Sequence, residues 1–286
     1  MHSPLQLKLI RFYFSFIRRI SPSLAVYSAY KLFHYPVNTT RKNRDEIILP
    51  PAHKFSIPLY HEIQLQGYRW GDTAHPKVLF VHGWSTTSRS MSHFTNELLK
   101  NNYQVISYDA LRHGNSKGHF SDLAGWADSV QAAMKYIGKV ECIVAHSFGG
   151  AAVTVASKLG LDTDKLVLIA PIHDISSVAD NFAKHLHIPL AISKEMRAYT
   201  WDKNAHNFSK YGTDWEDILK SDFHVPTLLI HDSDDKEIGI EHSKQICEMW
   251  PWAKLITTKG LGHRKILDDP KVVKALSDFI TTEATH

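Results

Sequence analysis

The chain has 286 residues, 43% of them hydrophobic and 22% charged, a balance that excludes intrinsic disorder and allows one large core or two smaller ones. Its net charge of +4 is uneven, since residues 1–54 hold nine basic and two acidic side chains while the rest holds 24 basic and 27 acidic; a mildly acidic body lacks the basic face that a nucleic-acid partner would require. The two cysteines, Cys142 and Cys247, are 105 residues apart, which excludes a disulfide framework or a cysteine-rich zinc module and points to reduced, buried thiols.

The apolar run Phe12 to Ile17 is six residues long and closes at Arg18-Arg19. A spanning helix needs about 20 apolar residues, so none is expected here. Residues 20–30 contain Ser-Pro-Ser and two tyrosines, a poor apolar core for a cleaved signal. Cytoplasmic residence is the expectation. At about 100° per residue, Lys8, Arg11, Ser15, Arg18 and Arg19 share one arc, and Leu9, Ile10, Tyr13, Phe14, Phe16, Ile17 and Ile20 fill the other. That pattern is an amphipathic helix. Ser21-Pro22 then reads as an N-cap and first-turn proline of a second helix, ending before Pro36. The apolar face is expected to pack on the main domain. Peripheral contact with an anionic membrane surface is the other reading.

Leu59 to Leu65 and Tyr68 to Trp70, separated by Gln66-Gly67, read as an edge hairpin. From Val78 onward, short apolar runs alternate with small-residue turns and helical stretches: Val78 to Val81, Gln104 to Tyr108, Glu141 to Ala145, Leu166 to Ala170, Leu228 to Ile230 and Lys254 to Thr257. This alternation predicts a mostly parallel sheet of the eight-stranded type, covered by helices on both faces. Between the strands ending near 170 and starting near 227, residues 173–222 have helical periodicity only and are expected to cap the C-terminal edge of the sheet. Within this stretch Trp201, Phe208, Tyr211 and Trp215 either line a pocket or pack the cap on the core. Three units follow: a helical segment at 1–54, a core at 55–172 and 223–286, and the cap.

The segment Val144-Ala145-His146-Ser147-Phe148-Gly149-Gly150 joins a buried strand directly to the helical stretch Ala151 to Leu159. A serine on a sharp strand-to-helix turn is pushed out of the fold, and small residues are needed two positions to either side, as Ala145 and Gly149 provide. Ser147 also stands at a helix N-terminus, where free amides stabilise a developing anion. The plainer reading is a serine N-cap, because Ala145 departs from the usual Gly-x-Ser-x-Gly.

With that motif the chain resembles the α/β-hydrolase family, over about residues 58–280, and other segments fall in the family's order. Phe80-Val81-His82-Gly83-Trp84 matches its His-Gly-x segment, which implies that the backbone N–H groups of Trp84 and Phe148 form an oxyanion hole. Asp109 to Ser116 is similar to the family's Asp-x-x-x-His-Gly-x-Ser turn, so Asp109 and His113 are expected as scaffold. His231 to Ile238 resembles the segment that carries the acid and selects Asp235, with Asp232, Asp234 and Asp174 as competing choices. Gly260-Leu261-Gly262-His263 matches the loop of the base.

The resemblance implies an ester or thioester hydrolase with Ser147 as nucleophile, His263 as base, Asp235 as its orienting acid and a small acyl ester as substrate. A serine nucleophile disfavours the dehalogenase and epoxide-hydrolase branches. C–C, lactone or amide hydrolysis is the alternative chemistry, and a non-catalytic binding protein is the alternative class. No metal is expected, because His185-x-His187 lacks a third ligand. Gly114 and Gly118 are too far apart for a phosphate loop, and no cofactor is expected.

Overall fold

Eight strands form one sheet in the computed structural model, which describes residues 4–36, 49–118, 121–221 and 223–282. They are β1 (His53–Tyr60), β2 (Ile63–Trp70), β3 (Lys77–Val81), β4 (Gln104–Tyr108), β5 (Val140–His146), β6 (Thr163–Ile169), β7 (Thr227–Asp232) and β8 (Ala253–Thr258). Their order is β1-β2-β4-β3-β5-β6-β7-β8; β2 runs antiparallel to both neighbours, and the strands from β4 to β8 are mutually parallel. The helices are α1 (Pro4–Ile20), α2 (Pro22–Phe33), α3 (Ser92–Lys100), α4 (Leu123–Ile137) and α5 (Phe148–Ser157). They continue with α6 (Ile175–His185), α7 (Leu190–Phe208), α8 (Glu241–Met249), α9 (Gly262–Lys265) and α10 (Pro270–Thr281).

The strand period of two explains how one sheet feeds two cores. Leu79, Val81, Ile143, Ala145, Leu166, Leu168 and Leu229 are buried with α4, α5 and α8. Their neighbours Val78, Phe80, Cys142, Val144, Val167, Ile169, Leu228 and Ile230 are buried with α3 and α10 on the other face. Strands covered on both faces read as continuous apolar runs, which is why they were visible in the sequence. The parallel arrangement also brings the C-terminal ends of β3, β5, β7 and β8 to one edge, where ligands bind in open α/β sheets.

The hairpin differs from the sequence expectation. Gln66-Gly67 lies inside β2, opposite Ser56 and Phe55, and the turn is at His61-Glu62. Gly67 is there because the Phe55 ring covers it: a Cβ at residue 67 would stand 2.5 Å from that ring. The Gln66 side-chain amide donates to the carbonyl of Phe55, holding the two strands together.

Residues between β6 and β7 form α6, α7 and a short 3₁₀ turn at Asp217–Leu219. Trp201 stacks on Phe208 at 5.0 Å, Trp215 meets the two rings edge-on at 5.2 and 4.9 Å, and all three belong to or pack against the core cluster that Trp84 and Phe148 also pack against. Tyr211 is buried and donates its hydroxyl to Asp128 of α4, which also receives the Lys210 ammonium. These side chains fasten the insertion to the core.

Ser21 caps α2, its hydroxyl accepting from the Leu24 N–H, and Pro22 opens the helix. The helix pair, expected to pack on the main domain, packs on the insertion. Phe14, Ala25, Val26, Ala29 and Tyr30 are buried against Ala179, Ala183, Leu186, Ile188, Ile192 and Met196 of the insertion. The small residues Ala25 and Ala29 let α2 approach closely, so the pair extends the insertion and not the core. Arg41, Lys42, Arg44, Asp45 and Glu46 of the charged N-terminal segment lie outside the described residues.

Asp122 caps α4, accepting from the Gly125 N–H at 2.7 Å, and burial pushes its carboxyl up to about 6. A raised carboxyl contributes stability at low pH that is lost as pH rises through its folded value. Asp122→Asn keeps a competent cap and removes the ionisation. The variant should therefore gain about 1–2 kcal/mol on the wild type between pH 5 and pH 8 in urea unfolding. A difference independent of pH would contradict this.

Candidate active site

Residue Ser147 follows the last residue of β5 and precedes the first of α5, with φ 55° and ψ −121°, a conformation that non-glycine residues rarely adopt. Its N–H donates to the carbonyl of Ile169 at 2.9 Å, continuing the β5–β6 ladder through the turn, and its carbonyl accepts from Gly150. Gly149 is required by space. A Cβ there would lie 2.4 Å from the carbonyl oxygen of His82 and 2.7 Å from that of Val81, both backbone atoms that cannot yield.

The serine hydroxyl lies 2.9 Å from His263 Nε2, and His263 Nδ1 lies 2.7 Å from Asp235 Oδ2. All three side chains are buried or nearly so, at 6%, 9% and 9% exposure, which removes most competing water. Burial raises the Asp235 carboxyl, but the neighbouring His231 and hydrogen bonds from His263 and the Ile238 N–H outweigh it and hold the group well below the usual carboxylate range. Ionised Asp235 can only accept, so Nδ1 of His263 carries a proton. Nε2 is left to accept from Ser147.

Two of the competing aspartates, Asp232 and Asp174, are engaged by other partners. Asp232 Oδ2 accepts from the Thr258 hydroxyl at 2.7 Å and the Leu261 N–H at 3.0 Å, while Oδ1 accepts from Asp234 N–H. Asp232 thus staples the loop after β7 to the loop that carries His263. Asp174 caps α6 through the Ser176 N–H. The structure places Asp234 in the loop without bringing it to His263, whose carboxylate partner is Asp235.

The Trp84 loop lies directly beside the serine: a Cβ on Gly83 would be 3.2 Å from Ser147 Cβ. Phe148 opens α5, so its N–H has no intrahelical acceptor. The Trp84 and Phe148 rings meet edge-on at 5.2 Å, and both touch the Trp126 ring of α4. Asp109 and His113 hold this loop from behind. Asp109 accepts from the N–H groups of Ser88 and Asn115 and from the Tyr68 hydroxyl, and His113 Nε2 accepts from the Ser85 N–H.

Four positioning residues were not singled out from the sequence. His82 accepts from the Ala110 N–H and donates to the carbonyl of Gly83. His146 donates to the backbone carbonyl of His263 at 3.1 Å, and their rings lie 4.7 Å apart. His231 donates to Ile238, accepts from Ser243 and stands 3.6 Å from Asp235. Trp126 completes the aromatic cluster. The sequence signal for the histidines was their place: each ends an apolar buried strand, where a polar ring must find partners.

Comparison with known proteins identifies the family and the fold. The alpha/beta hydrolase family matches residues 78–276, and the chain belongs to that family. Among curated proteins it is 26% identical over 243 residues to a bifunctional esterase/perhydrolase of Acinetobacter calcoaceticus, covering 68% of this chain and 87% of that one. An AB hydrolase superfamily protein of Bacillus subtilis is 24% identical over 240 residues, covering 70% and 89%. The crystal structure of esterase RhEst1 from Rhodococcus sp. ECU1013 shares the fold, with a TM-score of 0.60 and 16% identity over 82% of this chain and 99% of that one. So does the Pyrococcus furiosus esterase Pf2001, at a TM-score of 0.62 and 16% identity over 80% and 92%.

Asp232 is held below the usual carboxylate range, because hydrogen bonds at its two oxygens outweigh a burial effect of opposite sign; Asp235 is lowered in the same way. A lowered carboxyl contributes stability above its unfolded value, about 4, and loses it as pH falls toward the folded value. Thermal unfolding of the wild type should therefore drop in midpoint below pH about 4. Asp232→Asn should be less stable by about 1–3 kcal/mol at pH 7 and fall less steeply in acid. Parallel curves for the two proteins would show that Asp232 is not a link between the loops.

Proposed function

We propose that this α/β hydrolase cleaves a carboxylic ester, or a thioester, through an acyl-enzyme on Ser147. The observation that carries the reading is the continuous chain from Ser147 to His263 to Asp235, at 2.9 and 2.7 Å, beginning on a strained turn at a helix N-terminus. The esterase named among its relatives supports the same bond type.

In this reading Ser147 Oγ attacks the carbonyl carbon as its proton passes to His263 Nε2. The carbonyl oxygen becomes an anion facing the N–H groups of Trp84 and Phe148, each donor contributing a few kcal/mol, about 3, to the barrier reduction. Asp235 keeps the His263 proton on Nδ1 and offsets the imidazolium charge. His263 then returns the proton to the leaving alkoxide or thiolate. Water attacks the acyl-enzyme by the same route, with His263 taking its proton, and the acid product leaves with Ser147 restored. In the same reading the insertion that Trp201, Phe208 and Trp215 fasten to the core is a cap, and its apolar side chains suit an acyl chain.

Steady-state kinetics on p-nitrophenyl esters of stepped chain length and on acyl-CoA thioesters tests the reading. Ser147→Ala should lose about 10⁴-fold or more in kcat, and Asp235→Asn about 10³- to 10⁴-fold. Asp234→Asn should stay within about tenfold of the wild type. A larger loss at Asp232 or Asp234 than at Asp235 would move the acid. Turnover of lactones, amides or C–C substrates with none of any ester or thioester would overturn the bond type.

A further inference from the structure

Helix α1 carries two apolar faces, and the fold uses one. Leu7, Ile10, Phe14 and Ile17 turn toward α2 and the insertion, with Phe14 completely buried. Leu5, Leu9, Phe12, Phe16 and Ile20 face solvent at 61–73% exposure. At about 100° per residue these five share an arc of about 80°, and along the axis they run about 22 Å, so they form one stripe and not scattered single residues. Tyr13 borders the stripe on one side; Lys8 and Arg19, both exposed, adjoin it on the other.

Charge selects the occupant. Neither α1 nor α2 contains an acidic residue, and the sequence holds none before Asp45. A second copy of this chain would bring the same face against itself, setting Lys8 and Arg19 beside their own counterparts with no carboxylate between them. A surface rich in lipid phosphates satisfies both the apolar stripe and its basic border. Phenylalanine and isoleucine on one face with lysine and arginine beside it is the composition of helices that lie in the plane of a bilayer interface. No helix among the described residues is long and apolar enough to cross a membrane.

We propose that α1 docks on an anionic phospholipid membrane, its exposed stripe seated among the headgroups and Lys8 and Arg19 against lipid phosphates. The surface is preformed. Arg11 donates through Nε and Nη2 to the carbonyl of His185, and the Tyr13 hydroxyl bonds Ser28, so α1 is mounted on the folded protein before any lipid is met. This inference is independent of the hydrolase reading, since none of its residues belongs to the Ser147 site.

Co-sedimentation of the full chain with phosphatidylglycerol/phosphatidylcholine vesicles and with pure phosphatidylcholine vesicles tests it. The wild type should pellet with the first and weakly with the second. Phe12→Gln with Phe16→Gln should lower partitioning about tenfold or more while leaving the thermal melt unchanged. Lys8→Glu with Arg19→Glu should remove the preference for anionic lipid, a preference that also fades as salt rises to about 0.5 M. Three results would overturn the proposal: wild type left in the supernatant, either double variant pelleting as the wild type does, or sedimentation velocity revealing a dimer that Phe12→Gln with Phe16→Gln dissolves while vesicles are ignored. If the phenylalanine variant does not fold, the charge variant decides alone.

Discussion

At Ser147 the chain passes from strand to helix through a backbone conformation costing of order 1–3 kcal/mol for a residue with a side chain. Three strands hold it there. β5 delivers the residue, β6 accepts its N–H at Ile169, and the last carbonyls at the end of β3 leave room for nothing larger than Gly149. The same turn sets the hydroxyl against His263, starts α5 and leaves the Phe148 N–H without an intrahelical acceptor. The parallel order of the sheet matters because it puts the loops after β3, β7 and β8 around this one turn.

The surrounding geometry is set by buried imidazoles whose proton positions are fixed by unambiguous partners. His82 and His113 each accept a backbone N–H with one nitrogen and donate to a carbonyl with the other, holding the loop that carries Trp84. Burial lowers His82 and pushes His113 down to about 3, so both stay neutral and keep an acceptor to offer. His146 ties the His263 backbone to the end of β5, and the buried His231 stands 3.6 Å from Asp235. Asp232 then couples the acid loop to the base loop. The result is a hydrogen-bonded chain of fixed direction, from Ser147 to His263 to Asp235.

Much of this was legible from residue order. Runs such as Val78 to Val81 must be buried on both faces, and small residues around Ser147 announce a tight turn before any contact is known. The hairpin was misplaced because Gln-Gly is a turn signal only when nothing covers the glycine, and here the Phe55 ring does, a cross-strand contact that local sequence does not encode. The seat of the helix pair was likewise hidden. Periodicity identifies an apolar face but not its partner, and it merged the buried Phe14 with the exposed Leu9 and Phe16 into one arc. Asp232 looked like a rival for the acid because sequence gives proximity to His263 in motif order only. Its actual partners, Thr258 and the Leu261 N–H, belong to another strand and its following loop.

A crystal structure of the protein after reaction with an alkyl fluorophosphonate is the decisive measurement at Ser147, because the adduct carries a tetrahedral centre with an oxygen in place of the transition-state oxyanion. A single phosphonyl group is expected on Ser147 Oγ, with that oxygen about 3 Å from the N–H groups of both Trp84 and Phe148. Labelling at another residue, or an oxygen turned away from those two amides toward solvent, would contradict it.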